Sequence, residues 1–213
     1  MKNIILIFIL FCFISNINAQ EQRFKAGLHL GLNAAQLDGD ANIGFHKVGL
    51  NGGVRVATIL NEKMQIVTEI NYASRGSQAT ITGNSNGSDY FVINNRYVEV
   101  PVMFSIFDWK GEDDDHYRIC FNGGLSYARL INSTAKGATT FAGRSQDYFL
   151  KNNLSFILGF IYYPGKNLGY QFRYTRDIIP TYSQNLSPAT TPLNADRLLG
   201  YYITLGVVRM FGE

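Results

Sequence analysis

Apolar and polar residues alternate with a period of two along most of this chain, the signature of half-buried β-strands. In a first segment Phe24, Ala26, Leu28, Leu30 and Leu32 share one face, and Lys25, Gly27, His29, Gly31 and Asn33 the other. Val48, Leu50, Val54 and Val56 then alternate with Gly49, Asn51, Gly53 and Arg55. Beyond Asn61-Glu62-Lys63, Met64, Ile66, Thr68, Ile70 and Tyr72 oppose Gln65, Val67, Glu69, Asn71 and Ala73. A fourth segment sets Val98, Val100, Val102, Phe104 and Ile106 against Tyr97, Glu99, Pro101, Met103 and Ser105. Four more follow, led by Ile119, Leu154, Leu168 and Leu199. The pattern predicts eight strands, each long enough to cross a bilayer, where about 9–11 tilted residues suffice.

The connections alternate in length. Residues 36–46, 76–92, 132–147 and 178–196 read as long polar loops rich in Gly, Asn, Ser and Thr, whereas 61–63, 108–116 and 164–167 are short. Long loops on one side and short turns on the other, with both ends of the chain on the short-turn side, describe an up-and-down membrane barrel. Four of the five prolines fall in connections. Pro101 interrupts a strand, where it forfeits a ladder hydrogen bond or marks a bulge.

The alternation begins only after a different kind of segment. Lys2 precedes the apolar run Ile4 to Ile14, and Ile17-Asn18-Ala19 offers a small residue before Gln20. This is the pattern of a secretory signal peptide, cleaved after Ala19. The run is too short for a spanning helix, which needs about 20 residues. Cys12 lies inside the run behind bulky Phe11, which argues against lipidation. The expected organisation is a signal peptide at 1–19 and one barrel domain at 20–213. Export leaves Cys120 as the single cysteine, so no internal disulfide forms.

Composition narrows the fold further. Charged residues are 16% of the chain, against roughly 25% in soluble domains. With 15 Phe, 13 Tyr and 46% hydrophobic residues, disorder is excluded. A net charge of +3 is no footprint for nucleic acid. A soluble β-sandwich would carry many Lys and Glu on its outer face. Here the second face is mostly Gly, Ala, Ser and Asn, small enough for the inside of a narrow eight-stranded barrel. The apolar face carries Tyr72, Phe104, Tyr127, Tyr162, Tyr170, Tyr174, Tyr201 and Phe211 near strand ends, as interfacial girdles do. The expected fold is all-β: an eight-stranded antiparallel transmembrane β-barrel of the outer membrane.

The stretch Val67-Thr68-Glu69-Ile70-Asn71-Tyr72-Ala73-Ser74-Arg75-Gly76 and the segment Tyr97-Val98-Glu99-Val100-Pro101-Val102 resemble the PorT-type outer-membrane β-barrel family of Gram-negative bacteria. Tyr97, Glu99 and Pro101 carry the most specific part of that likeness, and Arg209 departs from it where an aromatic is usual. The resemblance implies an eight-stranded outer-membrane barrel, and through its named member an association with type IX protein secretion and gliding.

Inward-facing charges are the sharpest chemical feature. The alternation points Lys25, Arg55, Glu69, Glu99, Arg118 and Arg173 into the lumen, as a structural charge network rather than an ion path. If 61–63 is the turn, Arg55 and Glu69 oppose each other across that hairpin. His29 also faces inward, without the nucleophile and orienting acid of a lipid-modifying enzyme. Asp38-Gly39-Asp40 lacks the other ligands of a calcium loop, Glu112 to Asp115 reads as a solvated turn, and Cys120 as a packing residue. No catalytic residue, metal or cofactor is expected. The expected role is a non-enzymatic, monomeric barrel in outer-membrane lipid that binds or scaffolds another envelope protein through its loops. A small-solute pore is the alternative, ahead of a lipid-modifying enzyme.

Overall fold

A computed structural model describes residues 23–38, 44–81, 89–111, 115–136, 149–183 and 197–211, the side chains at 79–81, 89–91, 135–136 and 183 excepted. The expected signal peptide, Asp40 and residues 112–114 lie outside the described residues. The described elements are strands: β1 (Phe24–Asp38), β2 (Lys47–Asn61), β3 (Met64–Ile81), β4 (Asp89–Lys110), β5 (Tyr117–Lys136), β6 (Asn152–Tyr162), β7 (Leu168–Asp177), β8 (Tyr182–Ser183) and β9 (Arg197–Phe211). Each long strand pairs antiparallel with its sequence neighbour, and β9 pairs with both β7 and β1. Eight strands, β1 to β7 with β9, therefore close into a barrel. The two-residue β8 pairs with the start of β9.

Closure has a fixed stagger. Partners can be followed from Phe24 through Thr58, Ile66, Phe104, Gly123, Leu158, Tyr174 and Ile203 back to β1 at Ala34, ten residues further along. With strands about 4.8 Å apart and rising about 3.3 Å per residue, that stagger sets a tilt of roughly 40° and a backbone radius of about 8 Å. The 10 residues of β7 then climb roughly 25 Å, the height of a barrel's apolar band.

The outer wall is apolar because alternate residues have nowhere else to point. Leu28, Leu30, Leu50, Val54, Ile70, Leu125, Leu158 and Leu205 are all exposed on it. Tyr72, Phe104, Tyr127, Tyr162, Tyr170 and Phe211 are exposed with them, while Tyr174 and Tyr201 are partly covered. Tyr201 meets Phe45 edge-to-face at 5.3 Å.

The expected long loops are shorter than their composition suggests. β1 runs on to Asp38, β3 and β4 remain paired out to Ile81↔Asp89, and β5 extends to Lys136. Polar residues end a membrane-facing strand but not a backbone ladder, which needs only partners. β3, β4 and β5, with 18, 22 and 20 residues, thus rise well past β6 and β7, with 11 and 10. Gly76 sits in that extension at φ 154°, where a Cβ would lie 2.1 Å from the Ile93 carbonyl oxygen. Only glycine fits there.

Pro101 leaves its mark on the β3–β4 ladder. Pairing is continuous up to Thr68↔Val102 and resumes at Asn71↔Glu99, while on the other side Pro101↔Ser126 is kept. The missing amide accounts for the gap on the β3 side.

Candidate functional site: the ionic core of the lumen

Small inward residues such as Gly27, Gly31, Gly53, Gly124 and Gly206 leave room for large inward side chains on the facing walls. Three guanidinium groups (Arg55, Arg75 and Arg173) and three carboxyl groups (Glu69, Glu99 and Asp177) are buried there together with His29. Positive and negative side chains balance, as a dry interior requires.

Glu69 is the hub of the lower half. Arg173, reaching across from β7, donates to both its oxygens, Nη1 to Oε2 at 3.0 Å and Nη2 to Oε1 at 2.9 Å. Asn71 donates to Oε2 at 2.9 Å. The β2–β3 register sets Arg55 directly opposite Glu69, with Nε 3.7 Å from Oε1. None of the three Arg55 nitrogens makes a hydrogen bond to the protein. His29 pairs through Nε2 with Asn51 Oδ1 at 3.0 Å, and its Nδ1 lies 4.0 Å from Glu69.

Asp177 anchors the upper half. It accepts from Arg75 at 3.2 Å, Ser155 at 2.8 Å, Thr181 at 2.8 Å and the Gly200 amide at 3.0 Å. Arg75 lies 3.4 Å from Glu99, and its guanidinium stacks 4.1 Å from the Tyr97 ring and 5.0 Å from that of Tyr202. Tyr202 donates to Glu99, with its oxygen at 3.1 and 3.2 Å from the two carboxylate oxygens. Tyr97 and Glu99, two residues of the resemblance motif, are thereby built into one cluster.

Apolar plugs lie on both sides of this ionic core. Along β4 the inward residues run Ile93, Asn95, Tyr97, Glu99, Pro101 and Met103. Ile93 belongs to a cluster with Leu37, Phe149, Tyr182 and Leu198 at the long-loop end. Met103 belongs to another at the short-turn end, with Val67, Cys120, Ile161, Tyr163, Val208 and Met210. The ionic core is therefore enclosed between two greasy layers, and the strand count leaves no wide channel past them.

Lys25 and Arg118, also expected in the network, lie toward the short-turn mouth. Both are partly exposed near the short-turn end. Lys25 lines a mouth cavity of about 420 Å3 with Lys110, Lys166 and His116. Residues close to a strand end extend their charged tips to water. At the same mouth Lys166 hydrogen-bonds Asp115, which holds that exposed carboxyl below its usual titration range. Arg75 and Asp177 are the buried charges that the pattern missed. The period-two series Glu69-Asn71-Ala73-Arg75 and Arg173-Thr175-Asp177 would have found them, had each alternation been carried two residues further, to the edge of the supposed loops. Among the described residues no group of His, Cys, Asp or Glu is placed to hold a metal.

A closed barrel of eight tilted strands with an apolar outside and a packed ionic inside defines the class: a transmembrane β-barrel. The chain belongs to the outer membrane protein β-barrel domain family, whose pattern matches residues 18–183, and its place is the outer membrane. Its fold is similar to that of Ail, the attachment invasion locus protein of Yersinia pestis, solved with the heparin analogue sucrose octasulfate, at 11% identity and TM-score 0.46, covering 89% of this chain and 100% of that one. Neisserial surface protein A is similar at 11% identity and TM-score 0.46, over 89% and 98% of the two chains. AlkL, solved in lipid bilayers, is similar at 15% identity and TM-score 0.42, over 93% and 97%. Comparison with curated protein sequences finds no match.

Proposed function

We propose that this protein is a non-enzymatic barrel that works through its long-loop end, binding or scaffolding another protein of the cell envelope. The observation that carries the reading is the lumen. Among the described residues a charge-balanced core fills the lumen between two apolar plugs, which speaks against a path for solute. His29 is bonded to Asn51 rather than to a nucleophile, which speaks against an enzyme. The β3–β5 extension, in contrast, projects from a rigid scaffold, the usual place for recognition. The resemblance of Tyr97 to Val102 to PorT-type barrels extends the proposal to an accessory of type IX secretion.

The test compares two sets of variants in the native host. In one, residues 78–92 and 134–147 are replaced by short inert turns. In the other, Arg75 and Asp177 are exchanged for a neutral apolar pair. Loss of the cellular phenotype in the first set alone, with the barrel still folded, supports the reading. Loss in the second set alone, or a steady single-channel conductance from the folded wild type, overturns it in favour of a pore or an internal site.

A further inference from the structure

The outer wall holds a hollow at Gly52. This residue points outward from β2, where the neighbouring outward positions carry Leu50 and Val54. It lies in the floor of a shallow, open groove of about 710 Å3, walled by Leu30, Leu50, Val54 and Tyr72. The groove continues past Leu28 and Val207 to Arg209. Its walls are otherwise almost wholly aliphatic or aromatic.

Arg209 is the second observation. It faces outward from β9, paired with Leu28 on one side and Leu168 on the other. Its outward neighbours along the strand are Leu205, Val207 and Phe211, all exposed. A charge on the lipid face of a barrel is unfavourable toward the bilayer centre. It is tolerable near the short-turn interface, where it meets headgroups. Long loops face the cell exterior in these barrels, so Arg209 lies at the inner leaflet.

We propose that the groove is a binding site for one phospholipid of the inner leaflet. The phosphate pairs with Arg209, which offers a planar fork of donors suited to phosphate oxygens. An acyl chain lies along Leu28 and Val207 into the hollow over Gly52. The occupant is assigned by charge complementarity. A single cation at the foot of an apolar groove matches a molecule that is anionic at one end and aliphatic for the rest of its length.

Native mass spectrometry of the folded barrel, released from a neutral detergent, tests the site. The probes are phosphatidylglycerol, a diacylglycerol with the same chains, and inorganic phosphate. The wild type should retain one phosphatidylglycerol at least about tenfold better than the diacylglycerol. Arg209→Gln should lose that preference. Gly52→Leu should lose the adduct by filling the hollow. A Cβ there meets Leu30 Cδ1 at 3.1 Å, the movable end of a side chain. Heat-dependent gel mobility reports whether each variant is folded, and Arg209→Gln decides alone if Gly52→Leu is not. Equal retention of phosphatidylglycerol by folded Arg209→Gln overturns the proposal, as does equal binding of the diacylglycerol. Displacement of the lipid by inorganic phosphate also overturns it, since the site would then be one for a free anion. Each of these results leaves the barrel fold itself intact.

Discussion

Exchanging Arg173 and Arg55 for methionine, one at a time, separates two guanidinium groups that share a single carboxylate. Arg173 makes two charge-assisted hydrogen bonds to Glu69, at 2.9 and 3.0 Å. Each contributes roughly 1.5–3 kcal/mol. Removing it breaks a buried pair, so Arg173→Met should destabilise by about 3–5 kcal/mol. Arg55 approaches Glu69 at 3.7 Å without a hydrogen bond. At an effective dielectric constant near 20 its Coulomb attraction is about 4 kcal/mol. Desolvating an otherwise unbonded guanidinium costs several kcal/mol, so the two nearly cancel. Arg55→Met should therefore change stability by no more than about 1 kcal/mol in either direction, since methionine recovers part of the packing. Urea titration of the barrel in lipid vesicles, read by tyrosine fluorescence and gel mobility, gives both values. The triple variant Arg55→Met/Glu69→Met/Arg173→Met should recover part of the loss, because it leaves no orphaned charge. If Arg55→Met costs as much as Arg173→Met, the cross-strand pair dominates and hydrogen bonding is not what holds the core.

Other consequences are open to simpler tests. Tyr202→Phe keeps the ring over Arg75 but removes the donor to Glu99, so it should destabilise by roughly 1.5–3 kcal/mol in the same titration; an unchanged midpoint would contradict the bond. Gly124→Ala places a Cβ 2.1 Å from the Val102 carbonyl oxygen, and the strain of about 1–3 kcal/mol should lower the yield of heat-modifiable barrel; a wild-type yield would show that the wall gives way locally. Asp115 titrates low chiefly because Lys166 donates to it, so Lys166→Met should raise that carboxyl toward its ordinary range in a 13C-detected titration. The contact stabilises the carboxylate only above that lowered value and is lost as pH falls through it. A titration curve that does not move would show that the contact does not persist in solution.

The period-two pattern carried most of the architecture, because a membrane barrel writes its two environments onto alternate residues. Arg55 opposite Glu69 was legible from one short turn, although the hairpin closes at Asn61↔Met64 and a one-residue shift between Ile59 and Asn61 brings the ladder to that register. Two things were hidden. Strand ends were read from polarity, but beyond the apolar band a ladder continues on backbone bonds, which is how Arg75 and Asp177 escaped notice. The partner of a lumen charge was hidden as well. Arg173 and Glu69 lie four strands apart along the sheet and meet only because it closes on itself. A register slip on β4–β5 at Arg96/Tyr97 adds a further obstacle. Past it the inward positions of β5 change from Ala128 to Ser133, which donates to Asn95 at 2.6 Å. No fixed alternation crosses such a bulge.

The seam between the first and last strands has its own consequence for how the molecule comes into being. β1 pairs with β9 from Ala26↔Phe211 to Asp38↔Leu199, joining the two ends of the described chain. A ribosome delivers these strands at opposite moments of synthesis. Until the last is in hand, β1 carries a full row of unbonded amides and carbonyls that hydrocarbon cannot satisfy. Entry into the bilayer is thus forced toward an all-or-none event that waits for β9. A chain cut short before Arg197 would be left with two raw borders instead of one missing strand, a substrate for aggregation or for the cell's proteases.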